Sequence, residues 1–232
     1  MEKLIYAVWK TDAESNEHFR DKLLQALAPK LLQCQLSRLK ICVVDEHVDQ
    51  AAPYRIESSP PALSAAIMIW TDSTVFRKPL EDLIAAHVAR YAGYLVTESE
   101  PLVSDSCGVP LGSKTPGMNQ VVFLRRPSRL PVEQWLEIWQ GSHTAVAIDT
   151  QSTFGYRQNI ITRALTDDAP VYDAIVEENF PPEAITSRAA FYDAVGNEDL
   201  YQAREKAMIE SCMRFIDFDK MDCIPMSEYI LR

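Results

Sequence analysis

Residues 104–117, SDSCGVPLGSKTPG, hold three of the seven glycines in the chain and two of its prolines, and they show no apolar periodicity. Such a stretch reads as a linker. The pattern on one side of it returns on the other. That repetition limits what these 232 residues can fold into more than any other feature.

Before the linker, LIYAVW at 4–9 is a short β-rich run. Residues 16–33 place Phe19, Leu23, Leu24, Leu27 and Leu31 at helical spacing, with Ser15 or Asn16 as cap. A second strand is predicted over 36–44, then a loop with Pro53, Pro60 and Pro61, and a third strand over 65–70. A helix follows from Asp72 or Ser73 to about Arg90, with Pro79 in its first turns, and a fourth strand covers 94–103. After the linker come a strand over 118–126 and a helix over 131–148, with Pro131 in the first turn and Glu133 near the positive end of the dipole. Strands over 153–165 and 172–179, helical segments over 182–195 and 199–217 broken at Gly196-Asn197, and a last strand over 223–231 complete the chain.

Each half therefore predicts β-α-β-β-α-β, the ferredoxin-like order. Faint echoes accompany the order: Glu17-His18-Phe19 returns 116 positions later as Glu133-Gln134-Trp135. A single unit of this kind leaves one sheet face to be covered. The predicted fold is α+β, with ferredoxin-like repeats at 1–103 and 118–232 packed sheet on sheet into an intramolecular barrel with helices outside.

Composition removes several function classes. Lys+Arg is 23 against 33 Asp+Glu, a net charge of −10, which disfavours phosphate backbones and anionic membranes. No apolar run approaches the ~18 residues that span a bilayer, and the first residues lack a signal-peptide cleavage site. Cys34, Cys42, Cys107, Cys212 and Cys223 are odd in number and irregularly spaced, so free thiols in a reducing cytoplasm are expected. Phosphate-loop, dinucleotide and nucleophile-elbow motifs are absent, and His18, His47, His87 and His143 show no metal-ligand spacing. Neither cofactor nor metal is expected.

One stretch stands apart: VVFLRRP at 121–127, LPVEQW at 130–135, then Trp139 and His143. Trp135, Trp139, His143 and Ala147 recur every four residues and form one stripe on a helix, which should face the sheet and direct His143 inward. A strand ending in Arg-Pro, then a helix carrying Glu, an aromatic, a Trp and a His four residues later, resembles the EthD-type proteins of the dimeric α+β barrel superfamily. Tyr156-Arg157-Gln158-Asn159 is similar to that family's Tyr-x-Gln-Asn strand. Tyr172-Asp173-Ala174-Ile175-Val176-Glu177 is similar to its Tyr-Asp-Gly-x-x-Glu strand, with Ala174 in place of the glycine. Glu210, Phe215-Ile216-Asp217 and Glu228 resemble its last helix and strand. The resemblance covers about 118–231. Residues 1–103 share only the order of elements, and Ala28-Pro29-Lys30-Leu31 stands where the family's histidine would fall.

The resemblance implies a barrel cavity for a small apolar or aromatic compound and cofactor-free acid/base chemistry, of lyase, cyclase, isomerase or monooxygenase type. His143 would be the acid or base, Tyr156 and Asn159 polar orienters, and Asp173 or Glu177 the group that tunes the histidine. Trp139, Gln158 and Phe123 would contact substrate. The residues themselves leave alternatives open. Tyr156 and Gln158 alternate with Arg157 and Asn159, so one pair faces the barrel and the other the helices or solvent. Asp173 and Glu177 share a strand face, where an apolar setting would raise their pKa and an ion pair with Arg126, Arg157 or Arg163 would not. From the residues themselves Trp135 and Trp139 read as core, Glu178 is expected at solvent or an interface, and His87 at the surface or in the core. Two further readings are a non-catalytic binding or accessory protein for a hydrophobic metabolite, and a haem barrel with His143 or His87 as axial ligand. With both units in one chain, no partner is needed to close the barrel. A homodimer through 199–217 is expected, with Tyr201, Met208 and Met213 as contacts.

Overall fold

The computed structural model describes residues 1–58, 60–104 and 108–232; Ser59 and the linker residues Asp105, Ser106 and Cys107 lie outside the described residues. Strands β1 (Glu2–Trp9), β2 (Arg38–Val43), β3 (Ala65–Thr71) and β4 (Arg90–Leu102) precede the linker, and β5 (Met118–Leu124), β6 (Gly155–Ala164), β7 (Ala174–Phe180) and β8 (Asp222–Ile230) follow it. They close one barrel in the order β1-β3-β2-β8-β5-β7-β6-β4, with β4 returning to β1. Every pairing is antiparallel. The run β8-β5-β7-β6 restates β4-β1-β3-β2, so β2 with β8 and β4 with β6 form the two seams between the halves. Closure leaves no sheet edge free.

The helices lie outside. Residues 16–31 and 132–150 cover the two half-sheets, each α-helical at its ends and π-helical in the middle, at Lys22–Leu27 and Trp139–His143. The Ser15 side chain caps the first, accepting from the His18 N–H. The helix expected after Asp72 is shorter, a 3₁₀ turn Thr74–Phe76 and an α segment Lys78–Ala85. The loop expected after β2 contains a 3₁₀ helix, Glu46–Tyr54, opened by the Asp45 carboxylate accepting from the His47 N–H. The last helical region resolves into Pro182–Ile185, Arg188–Phe191 and Glu198–Met213, the long helix capped by Asn197. Part of the linker runs along β8, where Gly112 and Thr115 N–H groups donate to Ile230 and Glu228 carbonyls. On the long helix Met213 is exposed, but Tyr201 and Met208, expected at a dimer contact, pack against this chain's own core. Among the described residues no helix is long and apolar enough to cross a membrane.

Strand alternation separates the three largest of the four core clusters, the fourth lying around Met118, Phe180 and Phe191. Leu4, Tyr6, Leu39, Ile67 and Ile69 face outward under Phe19, Leu23, Leu27 and Leu31. Val122, Leu124, Tyr156 and Val176 face outward under Trp135, Trp139 and Ala147. Side chains occupy the barrel interior, and part of that filling is apolar, including Ile5, Met68, Tyr94, Phe123, Ile175 and Ile224. Another part is an ion network. Lys3 Nζ donates to Glu98 (2.5 Å) and Glu177 (2.7 Å), and Lys40 Nζ to Glu177 and to Glu228 (3.1 Å). Asn159 donates to Glu177, and Asn119 and Asn179 donate to Glu228. Burial alone would raise the Glu177 pKa, but Lys3, Lys40 and Arg157 hold it well below the usual carboxylate range. Buried carboxylates persist only when paired in this way. Three of the four lysine–glutamate pairs of this interior network join one half to the other.

Candidate active site

The cavity expected inside the barrel lies instead on its outer face, between the second half-sheet and its helices. It measures about 260 Å³. Its floor includes Gln120 and Val122 of β5, Tyr156 of β6 and Glu178 of β7. Trp139, His143, Cys212 and Phe215 roof it, and Tyr54 and Arg188 stand among the remaining walls.

The register places the floor's polar groups in a row. Glu178 stands opposite Gln120 on one side and opposite Tyr156 on the other, so neighbouring side chains are close enough to interact. Tyr156 Oη accepts from Trp139 Nε1 at 3.2 Å. The expected helical stripe does face the sheet, and its π-helical turn carries His143, which is 4% exposed. Its Nδ1 lies 2.9 Å from Ser211 Oγ and its ring centroid 4.6 Å from that of Phe215. Burial, with the nearby Arg214 guanidinium, pushes the His143 pKa down to about 4. The imidazole is neutral at physiological pH.

Glu178 is 6% exposed and has no hydrogen-bond partner among the described residues. Burial pushes its pKa up to about 8, so it is a carboxylic acid at neutral pH. Burial raises Tyr156 above its ordinary value and lifts Cys212 to about 12, so neither ionises near neutrality. The floor and roof of this site thus present an un-ionised carboxyl, a neutral imidazole, a phenol and a carboxamide, and the walls add Tyr54, Gln151, Arg188 and Tyr192 among apolar side chains. Titratable groups whose pKa values are pushed apart in one cavity are the usual form of an acid/base site.

The structure brings His143, Tyr156 and Trp139 together. Gln158 shares the outer face with Tyr156 but is tied to the helix, donating to Thr144 Oγ1 at 2.7 Å. Three expected site residues face the other way, because strand alternation turns them into the barrel. Asn159 and Glu177 belong to the ion network, and Phe123 packs on Tyr172 at 5.2 Å. Asp173 precedes β7, where its Oδ2 accepts from the Arg126 N–H at 2.7 Å. Neither Asp173 nor Glu177 tunes His143, whose partner is Ser211. His87 lies on the other half, with Nδ1 2.7 Å from Leu83 O.

Glu178 and Gln120 are site residues that the sequence reading does not select, Glu178 being expected at solvent or an interface. The signal was present in AIVEENF: Ala174, Val176 and Glu178 share one face, and helices were already predicted to cover it. Among the described residues no three His, Cys, Asp or Glu side chains are grouped to hold a metal ion.

No protein-family profile matches the chain, and no curated protein does. Solved structures share the fold. An anthrone oxidase-like protein superposes with a TM-score of 0.52 at 10% identity, covering 99% of this chain and 92% of its own. A candidate monooxygenase from Lactobacillus acidophilus NCFM gives 0.50 at 7% identity, covering 98% and 93%. At these identities the likeness establishes the fold alone, a mixed α+β protein built on a closed antiparallel barrel.

Proposed function

We propose that the chain is an enzyme that binds a compact aromatic or otherwise apolar molecule in the second-half cavity and moves a proton on it without a cofactor. The observation that carries this reading is Glu178, a buried carboxyl that lines an apolar cavity and has no protein partner among the described residues. A pKa of about 8 suits proton transfer near neutrality, because the optimum for an acid or base lies close to the working pH. Glu178 donates its proton to a substrate oxygen as charge develops there. Neutral His143 takes a proton from the substrate's C–H or O–H, with Ser211 occupying Nδ1 and leaving Nε2 for the transfer. One proton enters and one leaves, which serves isomerisation, cyclisation and elimination alike. The fold relatives named as an anthrone oxidase-like protein and a candidate monooxygenase add oxidation of the deprotonated substrate by dioxygen to that range.

The cavity of about 260 Å³ lies just below the ~300–1,000 Å³ of drug-sized ligand sites. It suits a molecule of one or two rings. In this reading residues 1–103 and 118–232 are tandem ferredoxin-like copies, the second of EthD type. The strand order that restates itself after four strands and the π-helical turn in the first helix of each half support it.

The test is turnover of a panel of phenolic and keto-aromatic compounds by the purified chain. The proposal expects at least one to react, with Glu178→Gln and His143→Phe each lowering kcat/KM by about 100-fold or more. Tight binding without turnover, or full activity in both variants, contradicts it.

A further inference from the structure

Two polar groups of the cavity are engaged within the protein: Tyr156 with Trp139, and His143 with Ser211. On the wall Gln151 Oε1 is buried without a partner among the described residues, and a facing pair on the floor has none either. Gln120 (7% exposed) and Glu178 (6% exposed) stand directly opposite each other on β5 and β7, both line the cavity, and neither side chain has a hydrogen-bond partner among the described residues. Their polar atoms are not sealed in protein but open onto the cavity, so what fills the cavity is what meets them. Two such groups side by side on one floor point to a ligand that supplies the partners.

We infer that the cavity selects an uncharged ligand carrying a hydrogen-bond donor beside an acceptor along one edge, and that Gln120 and Glu178 together read that edge. The inference rests on the proposed function only in taking the cavity as the ligand site. A carboxylic acid offers one O–H donor and one carbonyl acceptor, and a carboxamide offers two N–H donors and one carbonyl acceptor. A lactam or a hydroxy-ketone edge pairs with both groups at once. A molecule that only accepts, or has no polar edge, leaves a buried donor or acceptor unmade, which is the costly outcome.

Charge agrees with this choice. Arg188, a cation of the cavity wall, is paired with Glu205 at 2.5 Å, so an anion meets no free partner there. The titratable groups lining the cavity with Glu178 are Tyr156 on the flanking strand β6, Cys223 on β8 one strand beyond β5 and, above it, His143 and Cys212. Tyr54 and Tyr192 complete the set. Burial keeps Tyr156, Cys212 and Cys223 un-ionised, and His143 is neutral, so Glu178 is the group whose charge changes between neutral and mildly alkaline pH.

The experiment is titration calorimetry of the full chain with four two-ring probes: isoquinolone, N-methylisoquinolone, naphthalene and naphthoate. Near pH 6, isoquinolone, whose N–H lies beside its carbonyl, should bind about tenfold tighter than its N-methyl derivative or naphthalene, the worth of one to two net hydrogen bonds. Its affinity should fall about fivefold by pH ~9.5, as ionised Glu178 loses its donor. Glu178→Gln keeps a donor beside an acceptor, so it should keep the preference for isoquinolone and lose the pH dependence. Glu178→Leu should lose both. Naphthalene or N-methylisoquinolone binding as tightly as isoquinolone, or naphthoate binding more tightly near pH 6, overturns the inference and leaves the turnover test untouched. Binding of none of the four overturns it as well. Loss of turnover in Glu178→Gln with the isoquinolone preference intact separates the edge-reading role from the proton-transfer role and supports the inference.

Discussion

Across β2, β3 and β1 the outer face of the first half-sheet carries Leu39, Ile69 and Leu4 side by side. Across β6, β7 and β5 the second carries Tyr156, Glu178 and Gln120 in the same order. The helices above them correspond as well: Phe19, Leu23, Leu27 and Leu31 on one, Trp135, Trp139, His143 and Ala147 on the other, with Leu27 in the place of His143. Leu4, Leu27, Leu39 and Ile69 are all fully buried, and each contributes about 1.5–3 kcal/mol through burial. One half therefore closes its sheet–helix space with aliphatic packing, and the other leaves a cavity there and lines it with polar groups. The interior is shared more evenly, with Lys3, Lys40 and Glu98 from the first half meeting Glu177 and Glu228 from the second. Stability draws on both halves, while chemistry needs an open space in only one.

Exchanging the paired residues should show this, and the largest effect belongs to Ile69→Glu. It forces a carboxyl into packed aliphatic surroundings and should cost about 5 kcal/mol or prevent folding, as read by urea unfolding. A variant as stable as the parent would break the comparison. The reverse change, Glu178→Leu, should be stabilising in a pH-dependent way. The folded pKa of Glu178 is about 8, against an ordinary glutamate value of 4.5. Its contribution to stability is fully present below pH 4.5 and is lost as pH rises through 8, a loss of about 5 kcal/mol. Unfolding curves of the parent and Glu178→Leu should diverge over that window and nowhere below it.

Next in size is Lys40→Met in the shared interior. It leaves Glu228 without its lysine and Glu177 with Lys3 and the nearby Arg157 charge, and should cost about 4 kcal/mol. A neutral result would mean that the seam between the halves does not depend on charge. The smallest effect is His143→Leu, which copies Leu27. The folded His143 pKa lies near 4 and the ordinary value at 6.5, so the unfolded chain takes up this proton first as the solution is acidified. That costs the parent about 3 kcal/mol as pH falls from 6.5 through 4. The variant should lack this acid-side loss.

Much of the frame could be read from periodicity alone. The element order of both halves, the placement of the strands and the inward stripe from Trp135 to Ala147 all follow from local patterns. What escaped depended on partners distant in sequence. Lys3 and Lys40 meet Glu177 across 174 and 137 residues, so their role in a buried network has no local signature. Glu177 and Glu178 are neighbours with opposite fates, because β7 is covered on both faces and a shift of one residue exchanges barrel for cavity. The family resemblance pointed to Asn159, Asp173 and Glu177; strand parity turns Asn159 and Glu177 away from the cavity, and Asp173 lies before β7 on the Arg126 N–H, neither of which is visible without the helices in place. The π-helical turns and the 3₁₀ helix Glu46–Tyr54 likewise lack a signal that spacing would show.

The central claim is that the second half keeps a protonated carboxyl in its cavity, at the position where the first half has Ile69. Carbon-13 NMR of the chain labelled at glutamate side-chain carboxyls, titrated from acid to alkaline pH, tests it directly. One resonance should titrate near 8 and be missing from the spectrum of Glu178→Gln. A spectrum in which every glutamate has ionised by about pH 5, with nothing titrating above it, would contradict the account.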